Sequence, residues 1–428
     1  MIIIITSCSG QVKPTNYGLL EIEENETFYH NHLITVGAER LDEYLPLLRD
    51  KKVGVVVNQT SMVNDKNLVD VLLAYNVVVN NIFVPEHGFR GTASAGEIVN
   101  NAIDGKTGIP IVSLYSANKK PKLEQLGETE KYKDDVETGV SKIDIMIFDL
   151  QDVGARFYTY ISTLHYVMEA CAEANIPLIV LDRPNPNGFY VDGPVMEDEY
   201  KSFVGMHPVP IVHGMTVGEY AKMINGEKWL QNGIQCDLTV IACEGYDHTK
   251  FYELPIKPSP NLPNMRAIYL YPTLCLFEGT DISVGRGTDK QFQVIGSPNL
   301  SEERLNMDYY GLQASYRFTP QDMPGANNPK HEGKECIGID LSEKEIEEIR
   351  NIKKIDIQYV KGIYKLHKDK SNFFNPFFTK LAGNTSLQQL IMSDRPIMAN
   401  EDPFLKYEND LQNFKKIRKK YLIYKDFE

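Results

Sequence analysis

The chain of 428 residues is too long for one compact core and points to two domains. Its apolar (42%) and charged (24%) fractions are those of a soluble globular protein. A net charge of −13, with no dominating basic stripe, excludes general nucleic-acid binding.

Residues 2–5 are apolar, and Ile5-Thr6-Ser7-Cys8 resembles the box at which bacterial lipoproteins are processed, with Cys8 as the lipidated residue. The stretch is short and no basic segment precedes it, so it reads as a truncated lipoprotein signal followed by a polar tether over 9–16. A leader over 1–32 and a periplasmic or cell-envelope location, with a lipid anchor at Cys8, follow from that reading. No other apolar stretch approaches the length of a membrane span.

Five short apolar runs come next, each ending in a polar cluster. They lie at 53–57 (then Asn58, Gln59, Thr60), 81–84 (then Glu86, His87), 111–114 (then Tyr115, Ser116), 143–148 (then Asp149, Gln151, Asp152) and 178–181 (then Asp182, Arg183). Unbroken Val/Ile/Leu runs suit strands covered on both faces, of which parallel sheets are made. Phe157, Ile161, Leu164, Met168 and Cys171 share one stripe and predict a helix over 157–175 that feeds the strand at 178. This βαβ rhythm implies a right-handed, mostly parallel sheet flanked by helices, a Rossmann-like α/β domain over 33–255. Thr216 and Glu219 form a capping box for a helix reaching about Leu230, and 238–242 is a further strand. Because open sheets bind ligands beyond the carboxyl ends of their strands, the acids, amides, His and Arg gathered there define a site.

The stretch 255–263, Pro-Ile-Lys-Pro-Ser-Pro-Asn-Leu-Pro, reads as an inter-domain linker or a rigid cleft wall. Short strands, aromatic pairs and two helices then predict a smaller α+β domain over 256–428 that closes the cleft, with Ser342 and Glu345 capping one helix. The basic run at 415–420 lies among Phe414, Ile417, Tyr421 and Tyr424, as in an amphipathic helix with a solvated basic face. Beyond Cys8, Cys171, Cys236, Cys243, Cys275 and Cys336 contain no C-x-x-C pair, so neither zinc nor redox chemistry is signalled. Cys171, on the apolar stripe, reads as a buried thiol.

Several clusters are fit for chemistry. Glu86-His87-Gly88 follows a strand and a proline; a carboxylate in such a turn can be desolvated toward the range of a general acid, or can simply pair with Arg90. Asp149, Gln151, Asp152 and Arg156 surround a strand end and a helix start, where Asp152 suits an N-cap and Asp149 and Gln151 suit sugar hydroxyls. Asp182, Arg183 and Asn185 sit in a loop fixed by Pro184, Pro186 and Gly188. In Glu278-Gly279-Thr280-Asp281-Ile282-Ser283-Val284-Gly285-Arg286-Gly287-Thr288, the glycines allow close approach of a ligand and Arg286 suits a carboxylate or phosphate. Neither phosphate-loop pattern occurs, nor the G-x-S-x-G elbow of esterases, and the histidines lack zincin spacing. No cofactor or metal ion is required by these patterns.

In order along the chain, Val-Pro-Glu-His-Gly-Phe-Arg-Gly (84–91), Phe-Asp-Leu-Gln-Asp-Val-Gly-Ala-Arg-Phe-Tyr-Thr-Tyr (148–160), Leu-Asp-Arg-Pro-Asn-Pro-Asn-Gly (181–188), His213-Gly214-Met215-Thr216, Pro-Ser-Pro-Asn-Leu-Pro (258–263), the 278–288 motif and Ile-Gly-Ser-Pro (295–298) resemble the NamZ-type exo-β-N-acetylmuramidases. The resemblance runs from about residue 35 to the end. It implies a glycoside hydrolase that removes N-acetylmuramic acid from the non-reducing end of peptidoglycan-derived glycans, in cell-wall turnover or recycling. Its active cleft would lie between a Rossmann-type half and a smaller one. Where the family carries Glu, this chain has Val284, which makes Glu278 the better acid of the second half.

On that resemblance, Glu86 is the general acid, His87 holds or relays its proton, and Glu278, Asp149, Asp182 or the substrate's own 2-acetamido group meets the oxocarbenium-like centre. Arg286, Arg183, Arg90 and Arg156 are candidates for the lactyl carboxylate. Asp152, Asn185, His213 and Asn261 would also contact substrate, with Tyr158, Tyr160 or Tyr271 as a platform. The alternatives are a metal-dependent hydrolase or phosphatase on the same acids, and a non-catalytic muropeptide-binding lipoprotein.

Overall fold

The structure, a computed structural model, describes residues 34–86, 88–89, 102–115, 119–127, 142–305, 315–394 and 402–428. The leader with Cys8, and His87 and Arg90, lie outside the described residues. In chain order the strands are β1 (Lys52–Val57), β2 (Met62–Val63), β3 (Lys66–Asn67), β4 (Val78–Val84), β5 (Ala102–Ile103), β6 (Pro110–Ser113), β7 (Ile145–Asp149), β8 (Leu178–Leu181) and β9 (Leu238–Ile241). All but β2 and β3 join one sheet in the order β5-β6-β4-β1-β7-β8-β9, parallel except at the β5–β6 edge. The apolar runs become strands because each residue finds cover on one face or the other. Val56, Phe83, Met146, Phe148, Leu178 and Val180 enter one core, while Val55, Val57, Ile82, Ile147, Ile179 and Leu181 enter the second. The order runs outward in both directions from β1, so the topological switch point falls between β1 and β7, where Val57 pairs with Asp149.

The remainder of the chain packs on the first core. It contains an antiparallel sheet ordered β10 (Val294–Ser297), β12 (Cys336–Asp340), β11 (Tyr316–Phe318), with helices that include Met265–Leu274, Ile357–Leu366, Phe377–Ala382 and Asp402–Arg418. Mixed α/β architecture with a mostly parallel sheet and a smaller second half is as the sequence implied. Three local expectations change. The helix after β7 spans Tyr160–Glu173, so Asp152 is not its cap. The helix near 345 spans Ile346–Ile352 behind Glu345, while the Ser342 amide instead donates to Asp340 at 2.8 Å. Arg418, inside the basic run, is 1% exposed: it donates to Gly214 O and pairs with Asp426, while Lys416, Lys419 and Lys420 stay exposed.

The capping box of Thr216 and Glu219 forms as read, heading the helix Val217–Gly226. The five described cysteines are free and buried. Among the described residues, no helix is long and apolar enough to cross a membrane.

The segment following the last helix returns to the parallel sheet. The Tyr424 hydroxyl donates to Asp182 Oδ2 at 2.7 Å and accepts the Cys243 amide at 2.8 Å, and the Ile423 amide reaches Glu219. Tyr424→Phe removes both hydroxyl interactions in a buried site and is expected to destabilise the fold by about 1–3 kcal/mol. A lower urea midpoint, followed through the fluorescence of Trp229, the single tryptophan, checks this.

Candidate active site

The polar residues at the strand ends divide into those that face the cleft and those that hold it from behind. Behind it, Asp149 is fully buried and takes a two-pronged bond from Arg183, Nε to Oδ1 at 2.5 Å and Nη2 to Oδ2 at 2.9 Å. Asp182, also fully buried, accepts from Thr216 Oγ1 (2.7 Å), Tyr424 (2.7 Å) and the Gly218 amide (2.8 Å). Gln151 donates to the carbonyls of Asp152 and Pro184, and Asn185 donates to Met215 O. Arg156 donates to the carbonyls of Pro194, Val209, Leu381 and Ala382 at 2.7–2.9 Å. Asn261, 2% exposed, donates to Gly325 O, and His213, 1% exposed, accepts the Met215 amide while burial holds its imidazole down at about 3, neutral at physiological pH. These side chains were expected to touch substrate. Their closed burial and internal hydrogen bonds instead make them supports of the cleft, because a group without accessible surface cannot meet a ligand in this conformation.

Asp152 differs from its neighbours. Oδ1 accepts the Gly154 amide at 2.7 Å, but Oδ2 is buried without a partner. Burial pushes its carboxyl up to about 7 against the pull of the Gly154 and Val153 amides.

Three tyrosines, also buried, form a cluster. Tyr158 packs edge-on against Tyr160 (centroids 4.8 Å apart) and Tyr271 (6.0 Å). The Pro258 carbonyl gathers the Tyr158 hydroxyl at 2.8 Å, Tyr160 at 3.3 Å and the Gln59 amide at 3.2 Å, while Asn58 donates to Tyr160 at 2.8 Å. The proline-rich stretch is thus hydrogen-bonded into the tyrosine cluster.

Glu86 lies half-buried just past the end of β4. The Tyr115 hydroxyl is hydrogen-bonded to it and Thr159 Oγ1 donates to Oε2 at 3.4 Å. Burial and the nearby Glu86 charge push the Tyr115 phenol up, and Arg286 partly offsets them, so Arg286 lies within electrostatic reach of the Glu86–Tyr115 pair. Arg286 comes from the second half and binds Glu278, Nε to Oε1 at 2.5 Å; both side chains are about a quarter exposed, at 26% and 22%. They line a pocket of about 280 Å³ with Ser283, Gly325, Asn328 and Lys330.

The loop carrying Glu278 is pinned from within. Lys330 Nζ donates to the carbonyls of Phe277 (3.2 Å), Thr280 (2.6 Å) and Ile282 (2.9 Å). Asp281 accepts from Ser297 and His367 at 2.6 and 2.8 Å. Gly285 and Gly287 flank Arg286 in the left-handed region (φ 78° and 81°), and a Cβ there would lie 2.7 Å from Lys290 O and 2.5 Å from Gln321 O. These glycines therefore admit neighbouring backbone, not a ligand as the motif suggested. Burial pushes the Glu278 carboxyl up, but the charges of Arg286 and Lys330 outweigh it and hold the group below the ordinary glutamate value. Val284, 3% exposed, lines the same pocket and contributes an apolar side chain where the family carries Glu.

Of the expected set, Glu278 and Arg286 share one pocket, and Arg286 lies within electrostatic reach of the Glu86–Tyr115 pair. Tyr115, Thr159, Lys119 and Lys330 join them without having been singled out; Tyr115 closes an apolar run and could have been found, whereas Lys330 carries no local signal. Among the described residues no group of three or more His, Cys, Asp or Glu side chains is arranged to hold a metal ion.

Fold and site together define an α/β protein with a Rossmann-type sheet and a smaller second half, each carrying a partly exposed carboxylate. The chain belongs to the NamZ family of exo-β-N-acetylmuramidases: the family's N-terminal model matches residues 53–266 and its C-terminal model residues 269–424. It is 38% identical over 398 residues to the peptidoglycan β-N-acetylmuramidase NamZ of Bacillus subtilis, covering 90% of this chain and 89% of that one. Two crystal structures of DUF1343 family proteins from Bacteroides fragilis share the fold, one at 44% identity with a TM-score of 0.79 and one at 28% with 0.70. Each likeness covers 92% of this chain and 99% of the other.

The environment of Asp152 sets a pH dependence. Between the ordinary aspartate value of 3.8 and about 7, the folded protein holds a proton that the unfolded chain has released, so this group's contribution to stability falls as pH rises through that window. Asp152→Asn cannot ionise and is expected to gain on the wild type by on the order of 2–4 kcal/mol between pH 4 and pH 8. Denaturation of both proteins at the two pH values measures the difference.

Proposed function

We propose that the protein removes N-acetylmuramic acid from the non-reducing ends of peptidoglycan-derived glycans, with Glu86 as general acid and Glu278 as the ionised carboxylate facing the developing positive charge. The observation that carries this reading is the asymmetry between the two acids. Glu278 is held ionised by an ion pair with Arg286 and by Lys330, whereas Glu86, on the other half of the chain, is hydrogen-bonded to the Tyr115 and Thr159 hydroxyls with the Lys119 ammonium within electrostatic reach. Glycosidic cleavage needs such a pair: one group to protonate the leaving oxygen, and one anion to meet the oxocarbenium-like centre. In this reading 33–255 supplies the acid and 256–428 closes the cleft.

Hydrolysis of the disaccharide of N-acetylmuramic acid β-linked to N-acetylglucosamine tests the assignment. Glu86→Gln is expected to lower kcat by about 10²–10⁴-fold on this substrate, while binding survives because the amide keeps the shape. An aryl β-N-acetylmuraminide, whose leaving group needs little protonation, should suffer much less in the same variant. Equal losses on both would remove Glu86 from the acid's role. Release from neither substrate by the wild type would sink the muramidase reading and bring forward a muropeptide-binding role.

For location, the lipoprotein-like box supports attachment through Cys8 at the cell envelope. Metabolic labelling with a radioactive fatty acid should mark the wild type and not Cys8→Ala; an unlabelled wild type argues against the anchor.

A further inference from the structure

Muramic acid differs from glucosamine by a lactyl ether that carries a methyl group and a carboxylate, so an enzyme that distinguishes them needs a cation beside an apolar surface. Of the expected arginines, Arg90 lies outside the described residues, and the other three have partners of their own. Arg183 is closed onto Asp149, Arg156 onto backbone carbonyls, and Arg286 onto Glu278.

Lys119 meets the requirement. Its ammonium lies 3.6 Å from the centroid of the Phe203 ring and 5.4 Å from that of Tyr115, the residue hydrogen-bonded to Glu86. The Tyr115 and Phe203 rings stand 6.4 Å apart, and Phe203 is also stacked with Tyr166 (6.2 Å, 16°). Among the described residues, no carboxylate forms an ion pair with Lys119. Glu86 is nevertheless near enough for its charge to support the ammonium against burial. A lysine held by ring faces, not neutralised, and next to the proposed acid is an incomplete ion pair.

We propose that Lys119 is the specificity-determining residue for the lactyl carboxylate, with Tyr115 and Phe203 receiving the lactyl methyl group. The inference rests on the muramidase reading. The ring faces exclude water from one side of the ammonium, which strengthens its attraction for an arriving carboxylate.

The test compares an aryl β-N-acetylmuraminide carrying the free lactyl carboxylate with its methyl ester, for wild type, Lys119→Met and Lys119→Arg. The wild type should prefer the free acid by about 10–100-fold in kcat/KM, mainly through KM. Lys119→Met should lose at least about tenfold more on the acid than on the ester, and Lys119→Arg should recover most of the preference. Activity on the ester also reports that each variant is folded. Equal losses on acid and ester in Lys119→Met, or a wild type indifferent to esterification, would overturn the assignment to Lys119 while leaving the muramidase reading intact. A wild type that cleaves neither substrate would instead sink the muramidase reading, and this inference with it.

Discussion

The cleft depends on the guanidinium of Arg156. Its proposed acid and the facing carboxylate come from different halves of the chain, so their geometry is only as good as the docking of one half on the other. Arg156 is fully buried and bonds Pro194 and Val209 on one side and Leu381 and Ala382 on the other, with no carboxylate partner. Leu381 and Ala382 end the helix Phe377–Ala382, where the backbone carbonyls carry partial negative charge. A planar, five-donor fork suits such a junction, since it can hold several carbonyls at once in fixed directions. Burial without an anion still strains the ionised form and draws its titration down to about 9. The halves are thus joined by a charge that only the intact interface satisfies.

Around that junction the chain sorts its ionisable groups by depth. Asp149, Asp182, Arg183 and Gln151 bond to one another, to backbone or, for Asp182, to the Thr216 and Tyr424 hydroxyls, and form a buried layer. Glu86, Glu278 and Arg286 stand in front of it with part of their surface open. Glu278 has Arg286 and Lys330 beside it, while Glu86 has the Tyr115 and Thr159 hydroxyls and the Lys119 ammonium within electrostatic reach. Lys330 adds a further constraint: by binding the carbonyls of the 277–282 loop from inside, it fixes the backbone that presents Glu278 while contributing to that residue's charge.

Much of the sheet was legible because strands covered on both faces must be apolar at every position, and the runs at 53–57, 81–84 and 178–181 satisfy that without exception apart from Gly54 and Asn81. The polar clusters at their ends correctly marked the carboxyl edge. What those clusters could not reveal is which members consume one another: Asp149 and Arg183 are separated by 34 residues and meet only because β7 and β8 are neighbours. Arg418 looked like part of a solvated stripe because its carbonyl partner at Gly214 is 204 residues away. Lys119 and Lys330 were invisible for a related reason. A lone lysine acquires meaning from the rings or carbonyls that tertiary packing brings to it.

The return of the chain after the helix Asp402–Arg418 bears on how the protein is made. Asp182 closes β8, yet its Tyr424 donor, like the Ile423 amide that binds Glu219, emerges from the ribosome some 240 residues later. The Rossmann-type half cannot complete its polar layer while translation of the second half is under way, although amino-terminal domains ordinarily mature first. During that interval Asp182 keeps its Thr216 and Gly218 donors but lacks the Tyr424 hydroxyl, and the surface awaiting the returning segment is uncovered. Nascent chains stalled before residue 424 should therefore be favoured clients of chaperones and proteases, whereas a released chain acquires its second half and the closing segment of its first in one step.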